Sequence, residues 1–276
     1  MAECFLVPRS SDRRSAPGGR VVPGPSRHAY LKRNQWQEAV KDYDEAVKWN
    51  PNDPQVWRDK GILDRNHGRW QEAAKALKRA LEFDPNYHWD WFQCAPLLLH
   101  IGDVDGYRRL CRDMLQRFGQ TDEPFVAERT AKVCLLLPDA VADQKLVQQL
   151  AQRAVTGTEQ HLAYVWFQIT KAMAEYRAGQ FERSIKWLRE SQMDSHATLG
   201  GGKALGHLFL AMAHYRLGRA DEARAELTKA TALIDAEVRN WNPDEGKVGG
   251  PDWFMAMVVR REAEALIHSP APPSKK

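Results

Sequence analysis

Residues 36–51 read WQEAVKDYDEAVKWNP, and residues 70–85 read WQEAAKALKRALEFDP. Trp36 and Trp70 stand 34 residues apart, and so do Pro51 and Pro85. Within each copy the apolar residues recur at three- and four-residue intervals, the spacing of an amphipathic helix. Each copy ends on a proline, which has no N–H with which to extend a helix. One helical unit is therefore written twice at a fixed period, and fixed periods of this length mark arrays in which each unit buries its apolar face against the next.

The unit containing the second copy carries a fuller pattern: Trp57, Gly61, Gly68, Ala73, Leu77, Ala80 and Pro85. The same places 34 residues earlier hold Ala39, Tyr43, Ala46 and Pro51. The small residues let helices approach closely, Tyr43 and Leu77 fill the hole between the two helices of a hairpin, and the prolines stop the second helix. In these residues and this spacing the chain resembles tetratricopeptide-repeat proteins. The resemblance implies an all-α solenoid of about six helical hairpins, some degenerate, closed by a C-terminal capping helix.

Gly-centred breaks punctuate the rest at His67-Gly68-Arg69, Ile101-Gly102-Asp103, Ala178-Gly179-Gln180 and Leu217-Gly218-Arg219. No stretch shows strand-like alternation flanked by hairpin turns. A third unit opens with Trp91, Ala95, Leu98 and Gly102, and its second helix runs through Tyr107, Cys111 and Met114. Pro124–Leu137 and Val141–Val155 are expected to form a fourth hairpin that lacks the Ala pattern. The pattern returns as Ala172, Gly179, Ser184, Leu188 and Ser191, and again as Ala211, Gly218, Ala223, Leu227 and Ala230. A last amphipathic helix is expected near Trp253–His268. The expected organisation is a disordered segment at 1–26, a solenoid over 27–268 and a disordered tail at 269–276. Three departures stand out: a first helix confined to Arg27–Arg33, Pro96 in mid-helix, and Asp64 at a place normally aromatic.

Hydrophobic residues make up 43% and charged residues 28% of the 276, a balance typical of globular proteins. No apolar run approaches the ~20 residues that span a bilayer, and the first residues lack the apolar core of a secretory signal, so the expected location is cytoplasmic with no membrane partner. Residues 1–27 carry five Arg against Glu3 and Asp12, and Lys275 and Lys276 end the chain. The net charge of +4 therefore lies in the tails and leaves the repeats at about −1. Nucleic-acid binding needs the excess on the folded body, so no nucleic-acid partner is expected. Cys4, Cys94, Cys111 and Cys134 form no CxxC pair or zinc-spaced set, and the last three sit at apolar helical positions as buried thiols.

Catalytic constellations are not expected. LGGGKALG at 199–206 has Ala197 where a phosphate loop requires its first Gly, and Ala204 where it requires Ser or Thr, so it reads as an inter-repeat loop. His88 and Asp90 lack further convergent ligands and read as a solvated helix start beside Trp89 and Trp91. No metal set, cofactor motif or Ser/His/Asp arrangement can be nominated, and the reading is of a non-enzyme.

The stretch Trp89–Leu137, WDWFQCAPLLLHIGDVDGYRRLCRDMLQRFGQTDEPFVAERTAKVCLLLP, carries more than a generic repeat. It resembles the tetratricopeptide-type regions behind kinase or WD40-like domains in large planctomycete proteins. They share a tryptophan-led helix, YRRLC-like and AERTAK-LLLP-like segments, and a closing W…REAE-L helix matched by Trp253 and Arg261–Glu264. The resemblance spans about Arg27 to His268. It implies association with a serine/threonine kinase, although the chain holds no Gly-rich strand loop, HRD or DFG.

In such solenoids the first helix of each hairpin lines a concave binding face. First-helix residues directed away from the hairpin core are Arg58, Arg65, Asn66, Trp89, Phe92, Trp166, Tyr176, Tyr215 and Arg216. Aromatics and Arg are the side chains that anchor protein partners, so a protein or peptide is the expected ligand. A Lys/Asn set on successive first helices, the kind that holds a chaperone C-terminal carboxylate, is missing.

Overall fold

The computed structural model describes residues 36–194, 200–246 and 249–268. The expected disordered ends and the short first helix at 27–33 lie outside these residues. Twelve α-helices are described: α1 Trp36–Trp49, α2 Pro54–Asn66, α3 Trp70–Phe83, α4 His88–His100, α5 Val104–Phe118, α6 Pro124–Cys134, α7 Gln144–Val155, α8 Tyr164–Arg177, α9 Phe181–Glu190, α10 Gly200–Arg216, α11 Ala220–Asn240 and α12 Pro251–His268. Five hairpins follow from α2–α3 to α10–α11, and α1 precedes them as the second helix of a first unit. The inner helices α4, α6, α8 and α10 pack side by side in chain order.

The repeated residues do the same job in each unit. Ala39, Ala73, Ala80, Ala172, Ala211, Ala223 and Ala230 are fully buried, as is Leu77. A side chain at Gly61 would collide with Leu77. Ala46 is only half-buried; among the described helices α1 has its main packing on α2. The spacing of Trp and Pro has a specific cause. The Trp57 indole donates to the Pro51 carbonyl at 2.8 Å, and one period later Trp91 donates to Pro85 at 3.0 Å.

The hairpin turns are also copies. Gly68, Gly102, Gly179 and Gly218 have φ of 77°, 84°, 75° and 74°, a left-handed backbone that Gly adopts without steric penalty. In each, the residue after Gly donates back to a carbonyl five residues earlier, as in Arg69 to Asp64 and Asp103 to Leu98. This is the Schellman ending, and it satisfies carbonyls the helix leaves open. The α6–α7 connection has no such Gly and is longer, in step with its lost Ala pattern. Pro96 is accommodated inside a continuous α4. Cys94, Cys111 and Cys134 are buried free thiols.

The final helix packs on α10 and α11 and closes the stack, but it also crosses to α4. Trp253, Phe254, Met255, Ala256, Val259 and Ala263 are buried along it. The segment before it reaches the opposite end of the array. The Trp241 ring stacks on Trp70 at 5.7 Å and its indole donates to the Asn66 carbonyl at 3.3 Å. His67 bonds the Pro243 carbonyl and stacks on Trp36 at 4.6 Å. Phe254 meets Trp70 edge-on at 6.3 Å and His100 at 5.2 Å. The last quarter of the chain therefore folds back on the first repeats, and α12 covers the inner helices α4 and α10. Asp90–Leu99 are buried without interruption, and so are Phe167–Tyr176.

Among the described residues no helix is long and apolar enough to cross a membrane.

Two outcomes check this account. Phe254→Ala removes a fully buried ring from the closing contact and should lower the unfolding free energy in urea by about 3–5 kcal/mol. Gly102→Ala meets no atom within 4 Å, so it should cost only the left-handed backbone penalty, about 1–2 kcal/mol.

Candidate functional site

The nine first-helix residues expected on the concave face do not form one surface. Arg58 and Arg65 are each 8% exposed and lie in the seam between α2 and α4. The Arg58 Nε donates to both Asp90 oxygens at 2.8 Å, its Nη2 reaches Asp84 at 3.2 Å, and the guanidinium lies 4.1 Å over the Tyr87 ring. Arg65 donates to Gln93 Oε1 at 2.8 Å and to the Asn66 side-chain oxygen at 3.0 and 3.2 Å. Burial pulls the Arg65 guanidinium down to about 10. These groups hold neighbouring repeats together and are not displayed to a partner. Phe92 and Tyr176 are likewise buried, Tyr176 edge-on against Phe209 at 5.4 Å. Tyr215 is half-buried and Arg216 exposed at the far end of α10.

The remaining two, Trp89 and Trp166, are half-buried and belong to one cluster at the starts of α4, α6 and α8. Trp89 stacks on Phe92 at 5.3 Å. Arg129 of α6 lies 4.4 Å over the Trp89 ring, 5.8 Å from Phe92 and 5.2 Å from Phe125. Lys132, one turn further, lies 5.2 Å from Trp166 and 5.6 Å from Phe92. Lys132 is paired with Glu128 and reaches Asp252, the second residue of α12, at 3.4 Å. Glu128 in turn accepts from Thr170 at 2.8 Å. Phe125, Arg129 and Lys132 sit at i, i+4 and i+7, so they share one helix face. That spacing is present in the sequence, in the segment FVAERTAK at 125–132, and is the signal that nominates them.

Two other expectations change. Asp90 is fully buried in the Arg58 fork and is not solvated. Burial pushes its carboxyl up to about 6 even beside that guanidinium. His88 turns the other way, with its Nδ1 3.2 Å from Arg129, and burial together with that cation brings it down to about 4. The two are no acid–base pair. LGGGKALG is no loop over its helical part, since Gly200–Gly202 form the first turn of α10. A side chain at Gly202 would strike the Trp166 ring, and one at Gly201 the Asp252–Trp253 backbone. The glycines are there to let α8 and α12 approach.

A second polar site lies on α9–α11. A cavity of about 300 Å³ is lined by residues that include Arg189, Met193, His207, His214, Glu226 and Lys229. His207 is 3% exposed. Its Nδ1 faces Glu226 at 2.6 Å and its Nε2 faces Asp194 at 3.0 Å, an arrangement that calls for a proton on both nitrogens. Burial opposes that charge, but the two carboxylates outweigh it and raise the imidazole above its ordinary value. Burial also works against ionised Glu226, yet His207 and Lys229 hold it down at about 2. Among the described residues no group of three or more His, Cys, Asp or Glu could hold a metal ion.

Tetratricopeptide-repeat family models match residues 27–104 and 206–236, so these stretches are tetratricopeptide repeats. No curated protein matches the chain. Solved structures with similar folds include a chain of the APC/C hetero-tetramer Cut9–Hcn1, at 14% identity and TM-score 0.48, covering 83% of this chain and 40% of that one. A tetratricopeptide repeat protein from Parabacteroides merdae aligns at 11% identity and TM-score 0.48 over 72% of both chains. Yeast Tom70 aligns at 17% identity and TM-score 0.39, covering 83% of this chain and 43% of its own. The chain thus spans less than half of the Cut9–Hcn1 and Tom70 chains.

The His207 arrangement sets a sign for pH dependence. A group whose folded pKa is raised adds stability that is complete below its unfolded pKa and is lost as pH rises through the folded value. The difference in urea midpoint between the wild-type chain and His207→Gln should therefore be largest near about pH 5.5 and shrink towards about pH 8.5.

Proposed function

We propose that this array is a non-catalytic scaffold that binds a protein or peptide on the part of its concave face that α12 leaves open. Tetratricopeptide repeats commonly serve as protein-interaction scaffolds. The observation that supports the site is the cluster of half-buried Trp89, Phe125, Arg129 and Trp166 at the starts of three successive inner helices. Large aromatics and Arg held rigidly by a preformed scaffold give contact area at little entropic cost. Of the nine first-helix residues, Trp89 and Trp166 are its anchors and Phe92 supports Trp89 from beneath, while Arg58, Arg65, Asn66 and Tyr176 serve contacts elsewhere in the array. Tyr215 and Arg216 are an outlying edge. The binding step changes no covalent bond in the ligand, and the partner class is protein and not nucleic acid.

A narrower reading rests on the resemblance of Trp89–Leu137. It makes this array the cytoplasmic interaction region of a serine/threonine kinase whose catalytic domain lies outside this chain. Kinase signatures encoded in frame upstream would support it.

The whole chain, immobilised and exposed to native lysate, should retain a partner that Trp89→Ala loses by about tenfold or more. Arg112→Ala on the exposed side of α5 should retain it. Equal retention by Trp89→Ala, at unchanged helicity, would move the site elsewhere.

A further inference from the structure

Nearly every buried cation on the first helices of the hairpins has a carboxylate. Arg58 has Asp90 and Asp84, Lys60 has Asp64 and Asp44, Lys132 has Glu128 and Asp252, Lys171 has Glu175, and Arg177 has Glu262. Arg65 has none but is satisfied by two amide oxygens. Arg129 differs from all of them. Among the described residues it forms no ion pair, and the one polar atom in hydrogen-bond reach is the His88 Nδ1 at 3.2 Å. His88 is held neutral there, so it offers a lone pair and no charge.

A guanidinium has five N–H donors in a planar fork, and a half-buried cation without an anion is electrostatically incomplete. Burial accordingly lowers the Arg129 guanidinium from its ordinary value, while Glu128 and Asp252 act on it only through space. The rings of Trp89, Phe92 and Phe125 fix its plane. None of its nitrogens is sealed from solvent without a partner. The fork is oriented, desolvated on its faces and open along its edge.

The chain supplies its own example of what fits this floor. α12 enters the concave face with Pro251-Asp252-Trp253-Phe254, placing the Asp252 carboxylate on Lys132 and burying the two rings behind it. Arg129 lies on the same face of α6, one turn before Lys132. There no described segment supplies the matching carboxylate.

We infer that Arg129 is the anchor for an acidic side chain of the partner, and that the partner presents Asp or Glu beside an aromatic residue in a segment that extends the path of α12. This deepens the proposed function and rests on it. The pairing is a charge-assisted, bidentate contact at the centre of an aromatic surround, the setting in which one residue dominates binding.

The test uses fluorescein-labelled poly(Glu,Tyr) as an acidic–aromatic probe and poly(Lys,Tyr) as its basic counterpart, with binding to the full chain read by fluorescence anisotropy at low ionic strength. The wild-type chain should bind the acidic probe and not the basic one. Arg129→Gln should weaken binding about tenfold or more, Arg129→Lys should fall between, and Arg112→Gln should leave it unchanged. A measurement on the unmutated protein is independent of variant folding: phenylglyoxal labelling of Arg129, mapped by mass spectrometry, should be suppressed by poly(Glu,Tyr) while labelling of Arg112 is not. No binding of the acidic probe, or full binding by Arg129→Gln with no protection of Arg129, overturns the inference. If both probes bind alike and Trp89→Ala abolishes binding while Arg129→Gln does not, the acidic preference falls and the concave surface stands. If neither variant matters, both fall.

Discussion

The return of the C-terminal segment onto the first repeats is the contact on which the remaining architecture depends. Trp241 against Trp70, and Phe254 against Trp70 and His100, join residues more than 150 positions apart in the chain. Without this closure α4 would pack on α3, α5 and α6 and leave its remaining face in water. With it, Leu97, Leu98 and Leu99 are all buried, and an inner helix can be apolar all round. The same closure explains the polar residues inside. Once water is excluded, Glu128, Lys132, Lys171 and Glu175 are stable only as hydrogen-bonded pairs, and the structure pairs them.

That closure also divides the concave face. Towards the ends of α4, α6 and α8 it is filled from within, by Phe254 near His100, Asp252 near Lys132 and Glu262 on Arg177. Towards their beginnings the aromatic cluster faces outward. On the function proposed above, a partner would meet a short, strongly featured floor in place of a long featureless trough, and its specificity would depend on a few side chains. The cluster is also rigid, because Trp166 is wedged over Gly202 and Trp89 over Phe92. Rigid anchors lose little freedom when a partner arrives.

What could be read in the sequence was what repeats. Ala73, Leu77 and Ala80, the four turn glycines and the Trp–Pro spacing obey local rules that each unit satisfies by itself, so periodicity exposes them. The concave residues were harder because their fate depends on contacts distant in sequence. Arg58 and Asp90 are 32 positions apart and looked like separate surface groups, yet they form a buried fork. Tyr176 and Phe92 looked free until the packing of neighbouring helices covered them. The role of Arg129 is not legible in the sequence, because an Arg in a polar-looking heptad gives no sign of lacking a carboxylate. Gly200–Gly202 looked like a loop because a run of Gly disfavours helix. The cost is accepted because Trp166 and the α12 backbone occupy the space where side chains would be.

A linear array of repeats has its stability summed from units and nearest-neighbour interfaces, and it can fray from either end. Joining Trp36 and His67 to Pro243 and Asp244 changes the arithmetic of such a chain. α1 and the connection from α11 to α12 are now neighbours, and neither can open without breaking contacts with the other. Folding has to wait for a loop of about 200 residues to close, so this molecule should acquire its last contacts slowly for a helical protein. In return it should unfold as a ring does, by opening once, and damage at α12 should be felt at α3 and α4.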